Sequence, residues 1–160
     1  IQIKSAIQML NAVQKNMPAD IFVCTAAVSD WKLIPYDLKD KEISSKNKLK
    51  KNNFNKNNLI FKISNNPDII NIISNQKNRP KLVIGFAAET NNLINNAKSK
   101  LKSKNLDLIV ANQIDKENEV FGNDYNTVSI IEKNNLEKYN KKSKIEIAKI
   151  IVKKIINNYL

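Results

Sequence analysis

The sequence predicts an α/β domain with a mainly parallel sheet. Short apolar runs that suit strands buried on both faces alternate with helical patterns of about ten to fifteen residues. The composition fits this class, because 42% of the residues are hydrophobic and 26% are charged. No internal repeat or linker divides the chain, so we expect one domain over residues 1–160. No run approaches the ~20 apolar residues of a membrane-spanning helix, so we expect no membrane partner.

The first part of the chain predicts a helix, a strand and a long loop. Residues 1–17 repeat apolar side chains at helical spacing, and Pro18 interrupts the pattern. Residues 21–28 form a nearly continuous apolar run, which predicts a buried strand. Residues 29–58 show no periodicity, and a connection of about 30 residues is long for a compact domain. We expect this segment to be a mobile flap.

The clearest local signal is a helix start after the second predicted strand. Asn66 can cap this helix, Pro67 suits its first position, and Asp68 complements the positive end of the helix dipole. Beyond the flap, the patterns predict a strand at 59–64, the helix from Pro67, a strand at 82–88 and a helix at about 91–104. Strands at 107–112 and 127–132, a short partner at 136–139 and an amphipathic helix at 143–160 complete the prediction.

The formal net charge of +12 favours an anionic partner, such as a nucleic acid, an anionic membrane or a phosphorylated small molecule. The chain is also rich in Lys, Asn and Ile, which codon drift in an AT-rich genome supplies, so the charge has a second explanation. A nucleic-acid-binding module needs a basic face with interleaved aromatic residues. Aromatic residues make up 6% of this chain and Arg79 is its one arginine, so this alternative is weak and we expect no nucleic-acid partner.

Histidine is absent, and Cys24 is the single cysteine. These counts exclude an internal disulfide, a thiolate cage for Zn or Fe, and a Ser-His or Cys-His nucleophile. A chain without disulfides fits a reducing compartment, so we expect it in the cytoplasm. Cys24 lies in a predicted strand, and we interpret it as a core residue.

Polar residues follow the predicted strands at their carboxyl ends, where ligands bind in an open α/β sheet. Asp30 follows the first strand and residues 66–68 follow the second, whereas residues 86–90 and Asn112 end the third and fourth. We expect one crevice shared by these residues, with the flap placed to close over it. The only glycines lie at positions 85 and 122, which excludes a GxGxxG turn and a P-loop.

Without a glycine-rich loop, a nucleotide must be held by helix N-terminal amides, as at residues 67–70, and by lysines. Lys100 and Lys104 share a helix face, although lysines near a helix C-terminus also serve simply to complement its dipole. The basic run at residues 46–51 either neutralises a transferring phosphoryl group or stays solvated. Asp30 either holds Mg²⁺ against phosphate oxygens or caps a turn. These residues alone indicate an α/β domain that binds a phosphate-bearing ligand.

Six strings of the sequence resemble the motifs of one enzyme family. In chain order they are AAVSDW (26–31), KLKK (48–51), NPDII (66–70), GFAAET (85–90), KNLDLIVAN (104–112) and FGNDYN (121–126). Together they resemble the synthetase domain of bacterial phosphopantothenoylcysteine decarboxylase/synthetase proteins. GFAAET, followed by the lysine-bearing helix and the DLIVAN strand, is highly specific, whereas KLKK alone is not. The resemblance covers nearly the whole chain and weakens over the final helix.

The resemblance implies a Rossmann-like three-layer fold and a phosphopantothenate–cysteine ligase of coenzyme A biosynthesis. In this family the carboxylate of 4′-phosphopantothenate attacks the α-phosphorus of CTP, which gives an acyl-cytidylate and pyrophosphate. The amine of L-cysteine then attacks the activated carbonyl, and CMP leaves. The resemblance therefore implies CTP with Mg²⁺, 4′-phosphopantothenate and L-cysteine as ligands, and a homodimer with the flap near the partner's site.

The resemblance also implies site residues by position. The catalytic flap lysine, which contacts the nucleotide, maps to Lys48. The nucleotide-binding aspartate maps to Asp30, with Mg²⁺ held through the nucleotide. The aromatic contact maps to Phe86, and the two helix lysines map to Lys100 and Lys104. The turn-to-helix segment that contacts the nucleotide maps to Pro67, Asp68, Ile69 and Ile70.

This sequence departs from the family pattern at its start. The family begins with a strand, a glycine-rich turn and an asparagine used in processing the acyl-cytidylate, and none of these is present in residues 1–160. A flavin-dependent decarboxylase domain, which precedes the synthetase in many bacteria, is also absent, so FMN is not implied for this chain. We expect an N-terminally truncated domain with an incomplete sheet and phosphate cradle. An inactive remnant stays open as the alternative to an active ligase.

Overall fold

The computed structural model describes residues 1–37, 39–43, 60–114 and 123–159, with side chains described as far as residue 157. The chain forms two compact units: Ile1–Val13 with Ala27–Ile69, and Gln14–Ala26 with Ile70–Leu160. The strands are β1 (Ile21–Cys24), β2 (Trp31–Tyr36), β3 (Ile60–Asn65), β4 (Leu82–Glu89), β5 (Leu108–Gln113), β6 (Tyr125–Glu132) and β7 (Leu136–Ser143). The helices are α1 (Ala6–Lys15), α2 (Ile69–Ser74), α3 (Leu93–Ser103) and α4 (Lys144–Tyr159).

Five strands of the larger unit form one sheet in the order β1–β4–β5–β6–β7. β1, β4 and β5 pair in parallel, whereas β6 pairs antiparallel with both β5 and β7. β7 therefore runs in the same direction as β5, and four of the five strands share one direction. The predicted α/β fold with a mainly parallel sheet is confirmed, and β7 is longer than the predicted partner at 136–139.

Two apolar clusters cover opposite faces of this sheet. Alternate residues of β4 and β5 point to opposite faces, so their continuous apolar runs supply both clusters. On one face α4 packs through Ile147, Ile151 and Ile155. On the other face α3 packs through Ala97 and Leu101. The sheet thus lies between α4 and α3, which gives the three expected layers.

Side-chain caps mark where two helices begin, and the one before α4 is a reciprocal capping box. Before α1, the Gln8 N–H donates to Ser5 Oγ at 3.3 Å, and the Lys4 N–H donates to Gln8 Oε1 at 2.7 Å. Before α4, the Glu146 N–H donates to Ser143 Oγ at 3.2 Å, and the Ser143 N–H donates to Glu146 Oε2 at 2.9 Å. Such boxes satisfy backbone donors that the first helical turn leaves without partners.

A largely buried ion-pair cluster joins α4 to β6 and β7. The Lys154 ammonium lies 3.0 Å from Glu132 Oε2 and 2.7 Å from Glu137 Oε1. The side chains of Lys154 and Glu132 are 12% and 14% exposed, so both charges are mostly removed from water. Asn135 and Tyr139 also donate to the Glu137 carboxylate. Charges as well as apolar packing therefore hold α4 on the sheet.

The Glu137 carboxylate makes the stability of the larger unit depend on pH. Hydrogen bonds from Lys154 and then from Tyr139 lower the pKa of Glu137 from 4.5 to about 2. A lowered pKa contributes stability that is present above the ordinary value and lost as the pH falls through the folded-state value. Since Glu137 is 36% exposed, we expect a contribution of about 1 kcal/mol after solvent screening.

Urea unfolding of the wild-type chain and of Glu137→Gln at a series of pH values measures this contribution. The difference between the two free energies of unfolding should shrink as the pH falls from 4.5 towards 2. Other carboxylates titrate in both proteins and cancel in the difference. A difference that stays constant across this interval would contradict the prediction.

The smaller unit contains an antiparallel ribbon that the sequence did not predict. β2 pairs with β3 from Trp31 opposite Asn65 to Tyr36 opposite Ile60. β2 therefore puts a regular strand inside residues 29–58, where the sequence shows no periodicity. Both faces of β2 carry apolar residues, Leu33 on one and Ile34 on the other, which hides the period of two. The predicted flap from residue 44 onwards lies outside the described residues.

Several predicted boundaries are wrong, including the start of the first helix, which is predicted from residue 1 and begins at Ala6. The strand predicted over residues 21–28 ends at Cys24, the last residue that pairs with β4. The helix predicted from Pro67 begins at Ile69 and has six residues. Within the described ranges, no helix combines the length and the apolar character needed to cross a membrane.

Candidate functional site

The first group of predicted site residues lies in the smaller unit, between β3 and α2. The backbone N–H of Asn66 donates to the Asp30 carbonyl oxygen at 2.8 Å, and its side-chain amide donates to the Ser29 carbonyl oxygen at 2.8 Å. These bonds hold the segment before β2 against the segment before α2. Asp30 is therefore fixed beside the turn at Pro67 and Asp68.

The side-chain bonds of Asn66 differ from the predicted helix cap. Its amide also donates to the Trp31 carbonyl oxygen at 3.4 Å, so Asn66 ties two segments together instead of starting α2. Asp30 and Asp68 are exposed, which leaves their side chains accessible to a ligand. Ile69 is 4% exposed, so its side chain is not accessible to a ligand.

The second group lies in the larger unit, around the carboxyl end of β4. A side chain at Gly85 would place its Cβ 2.8 Å from Leu106 Cδ1 and 3.0 Å from Ile70 Cδ1. Glycine therefore lets Ile70 of α2 pack directly on the strand. Phe86 points to the opposite face of the sheet and is 38% exposed. A partly exposed aromatic ring is a suitable contact for a nucleotide base.

Lys100 pairs with a carboxylate that the sequence did not single out. Glu89, the last residue of β4, has a 12% exposed side chain, and Lys100 Nζ lies 2.6 Å from its Oε1. Asn96 Nδ2 donates to Glu89 Oε2 at 3.0 Å. Burial alone would raise the pKa of Glu89, but the contacts with Lys100 and Asn96 outweigh burial, and the pKa lies below the ordinary 4.5. A charged Glu89 therefore joins the end of β4 to α3 at neutral pH.

Lys104 directly follows α3 and has a structural role through its backbone. Its N–H donates to the Lys100 carbonyl oxygen at 3.0 Å, and its own carbonyl oxygen accepts the Ser74 hydroxyl at 2.5 Å. The end of α3 is thereby joined to the end of α2. Lys100 lies within α3, whereas Lys104 lies one residue beyond its end.

Cys24 and Asn112 both lie in strands of the larger unit. Cys24 is half-buried in β1 and belongs to neither of the two apolar clusters, so its interpretation as a core residue is not confirmed. Asn112, in β5, is 8% exposed, and its Nδ2 has no hydrogen-bond partner in the part of the chain that the structure describes. A buried donor without a partner is unfavourable, so an acceptor brought by a ligand to this strand end would be bound favourably.

The structure thus divides the predicted site residues between the two units. Lys48 lies outside the described residues. The shared crevice and the roles of all these residues stay predictions. The smaller unit holds Asp30, Pro67, Asp68 and Ile69, and the larger unit holds Ile70, Phe86, Lys100 and Lys104.

Comparison with known sequences finds relatives along almost the whole chain. Residues 1–159 match the family model described as the DNA/pantothenate metabolism flavoprotein C-terminal domain. The chain is 40% identical over 155 residues to the coenzyme A biosynthesis bifunctional protein CoaBC of Borreliella burgdorferi, which covers 96% of the chain and 36% of that relative. It is 35% identical over 160 residues to CoaBC of Haemophilus influenzae, covering 99% of the chain and 37% of that relative.

A third relative carries a different name. It is a cysteine/cysteine sulfinic acid decarboxylase of an unknown prokaryotic organism, 35% identical over 158 residues, covering 98% of the chain and 41% of that relative. The chain therefore spans less than half of the length of each of these three relatives.

Two solved structures share the fold. The C-terminal domain of CoaBC superimposes with a TM-score of 0.67 at 27% identity, covering 97% of this chain and 63% of that one. The DNA/pantothenate metabolism flavoprotein of Streptococcus pneumoniae gives a TM-score of 0.70 over 98% of this chain and 71% of that one. At 21% identity, the second likeness concerns the fold alone. Fold and sequence thus agree that the chain belongs to the DNA/pantothenate metabolism flavoprotein C-terminal domain family, the family of the CoaBC synthetase domain.

Proposed function

We propose that the chain carries the phosphopantothenate–cysteine ligase activity of coenzyme A biosynthesis, with CTP as the activating nucleotide. The observation that carries this proposal is the family match over residues 1–159, supported by relatives named as coenzyme A biosynthesis proteins. One relative of similar identity is named as a decarboxylase. The ligase reaction therefore needs a direct test.

The proposed reaction converts a poor acyl donor into a good one. The carboxylate of 4′-phosphopantothenate attacks the α-phosphorus of CTP, the bond to the bridging oxygen breaks, and pyrophosphate leaves. The amine of L-cysteine then attacks the carbonyl of the acyl-cytidylate, gives up a proton as the amide forms, and expels CMP. Both steps change the charge on phosphate oxygens, so positioned cations supply much of the catalysis.

The larger unit provides groups suited to bind the nucleotide. Lys100 lies in α3 and Lys104 directly follows it, and their ammonium groups would neutralise phosphate oxygens. The partly exposed ring of Phe86 would contact the base. Gly85, the residue before Phe86, is packed against Ile70 of α2.

We assign Mg²⁺ to the nucleotide, with Asp30 as the protein ligand. Proteins usually hold Mg²⁺ with one or two carboxylates together with substrate phosphates and water. Among the described residues, no three His, Cys, Asp or Glu side chains are grouped as metal ligands, and Asp30 is a single exposed carboxylate. Such a donor fits a metal ion that arrives bound to CTP. The ion would offset the negative charge of the phosphates.

The test of the proposed function measures pyrophosphate release from CTP, with 4′-phosphopantothenate present or omitted, and amide formation when L-cysteine is added. Since the chain spans 36% of B. burgdorferi CoaBC, we would assay both the chain and a chimera in which it replaces the matching segment of that relative. Release that requires phosphopantothenate would support the ligase. If the folded chimera releases no pyrophosphate while the unmodified relative is active, the result would favour the alternative that the chain is an inactive remnant.

We also propose that the chain pairs with a second copy through the β2–β3 ribbon. Leu33 and Ile63 lie opposite each other, Phe61 shares their face, and these side chains are 66%, 67% and 51% exposed. A two-stranded ribbon with an exposed apolar face is marginally stable in water, so a covering surface would stabilise it. The same face of a second copy would provide such a surface, and the family resemblance also implies a homodimer.

Charges placed on this face should separate the two copies. We expect the double substitution Leu33→Lys and Ile63→Lys to weaken self-association at least about 100-fold, because two buried apolar contacts become four repelling charges across the dimer. Sedimentation at a series of concentrations measures the dissociation constant. Lys32→Ala, on the other face of the ribbon, is the control. A monomeric wild-type protein, or a dimer that survives the double substitution, would contradict the proposal.

A further inference from the structure

The end of β4 holds a carboxylate that is contacted from two positions on one helix. Lys100 and Asn96 are one turn apart on α3, and they contact different oxygens of Glu89, at 2.6 Å from Oε1 and 3.0 Å from Oε2. Asn96 Nδ2 also donates to the Asn91 carbonyl oxygen at 3.1 Å. The Glu89 carbonyl oxygen accepts the Ile114 N–H at 2.8 Å. Both the carboxylate and the backbone of Glu89 are therefore fixed.

Lys100 is much more exposed than its partner. The Glu89 side chain is 12% exposed, whereas the Lys100 side chain is 44% exposed. The ammonium lies 2.6 Å from Oε1, so the contact is an ion pair. An ammonium has three N–H donors. The fixed carboxylate thus anchors a cation that can still receive a second anion from solvent.

We propose that Glu89 is a positioning residue of the nucleotide site, which holds the Lys100 ammonium where it meets the phosphates of CTP. This inference rests on the proposed function. A lysine side chain has several rotatable bonds, and restricting them before binding removes part of the entropic cost of association. Glu89 contacts no substrate atom in this scheme and acts through Lys100.

Positioning and simple charge repulsion predict opposite effects when Glu89 is neutralised. A carboxylate beside a phosphate site repels the nucleotide, so charge alone predicts that Glu89→Gln tightens CTP binding. Positioning predicts weaker binding, because a neutral amide holds the ammonium less firmly than a carboxylate does. We expect Glu89→Gln to raise the Kd for CTP about fivefold.

A double-mutant cycle tests whether Glu89 acts through Lys100. Glu89→Gln, Lys100→Met and the double variant are compared with the wild type by calorimetric titration of CTP, in the chain and in the chimera. In the Lys100→Met background, Glu89→Gln should leave the Kd unchanged or lower it, since only repulsion remains. Lys102→Met removes an exposed charge from the same helix and should stay within about twofold of the wild type.

Two results would overturn the inference. One is a Glu89→Gln variant that binds CTP as tightly as the wild type or more tightly. The other is equal weakening by Glu89→Gln with and without Lys100, which would mean a general structural role. Thermal unfolding identifies variants that do not fold. If Glu89→Gln is among them, Asn96→Leu loosens the same carboxylate and should weaken CTP binding in the same direction.

A second readout needs no nucleotide and separates this inference from the proposed function. Acylation of each lysine by an N-hydroxysuccinimide ester is followed by mass spectrometry, with Lys102 as the reference in the same sample. Glu89→Gln should raise the rate of acylation of Lys100, relative to that of Lys102, about threefold or more, because the Lys100 ammonium has then lost its charged partner, the Glu89 carboxylate. A raised rate without CTP binding in any protein would support the positioning of Lys100 and overturn the CTP assignment. An unchanged rate would overturn the inference, whatever the binding data show.

Discussion

Replacing Lys48 with alanine is expected to lower the kcat of pyrophosphate release about 10²- to 10³-fold. Lys48 lies in the basic run at residues 46–51, outside the described residues, so the prediction depends on the sequence resemblance. A lysine on a closing segment neutralises charge on the transferring phosphoryl group once water is excluded. Because this contact forms mainly in the transition state, kcat and kcat/KM should fall together.

Steady-state pyrophosphate release by the chimera measures this effect for the wild type, Lys48→Ala and Lys46→Ala. Lys46→Ala removes one charge from the same run and should stay within about threefold of the wild type. Unchanged turnover of Lys48→Ala would remove Lys48 from the chemical step. An equal loss in both variants would mean that the charge of the run matters and the position of Lys48 does not.

Replacing Lys154 with methionine is expected to lower the free energy of unfolding by about 3 kcal/mol. Lys154 lies 3.0 Å from a carboxylate oxygen of Glu132 and 2.7 Å from one of Glu137. Methionine keeps most of the apolar stem but removes the charge, so two carboxylates face each other with little water around Glu132. The expected loss comes from these unpaired charges and exceeds the net contribution of the ion pairs themselves.

Urea unfolding compares Lys154→Met with Lys153→Met, which changes an exposed lysine on the same helix. The control should change the free energy of unfolding by less than about 0.5 kcal/mol. Adding Glu132→Gln and Glu137→Gln to Lys154→Met should recover about half of the loss or more, because amides replace the unpaired carboxylates. If Lys154→Met were no less stable than Lys153→Met, the cluster would contribute little to stability.

The fold class could be predicted because burial leaves a regular pattern in the sequence. β4 and β5 have continuous apolar runs since their alternate residues face α3 and α4. The start of α4 could be predicted as well, because Ser143 and Glu146 are three residues apart and bond to each other within one turn.

The same local reasoning fails where contacts come from distant segments. β2 has apolar residues on both faces, so its pairing with β3 leaves no alternation to detect. Asn66 has the sequence context of a helix cap, yet its side chain bonds to Ser29 and Trp31, residues far away along the chain. Competition between a local cap and a tertiary hydrogen bond is not visible in sequence.

In the candidate site, too, the sequence indicates some residues and only the tertiary contacts reveal others. The resemblance singles out Lys100, and GFAAET already contains Glu89, but an acidic residue at a strand end has many roles and is a weak signal. The contact of Glu89 with Lys100 and Asn96 depends on how α3 returns across the sheet after β4. The unpartnered amide of Asn112 likewise becomes apparent only when its burial is known.

By itself, the sequence determined the α/β class, the order of most helices and strands, and the family resemblance. Hydrophobic periodicity acts over a few residues, so composition and spacing are enough to specify it. Only the tertiary structure decided which charges meet: Glu89 with Lys100, and Lys154 with Glu132 and Glu137. The partner of a charged side chain is set by how whole elements pack on one another, and the strength of the pairing is set by how much water that packing excludes.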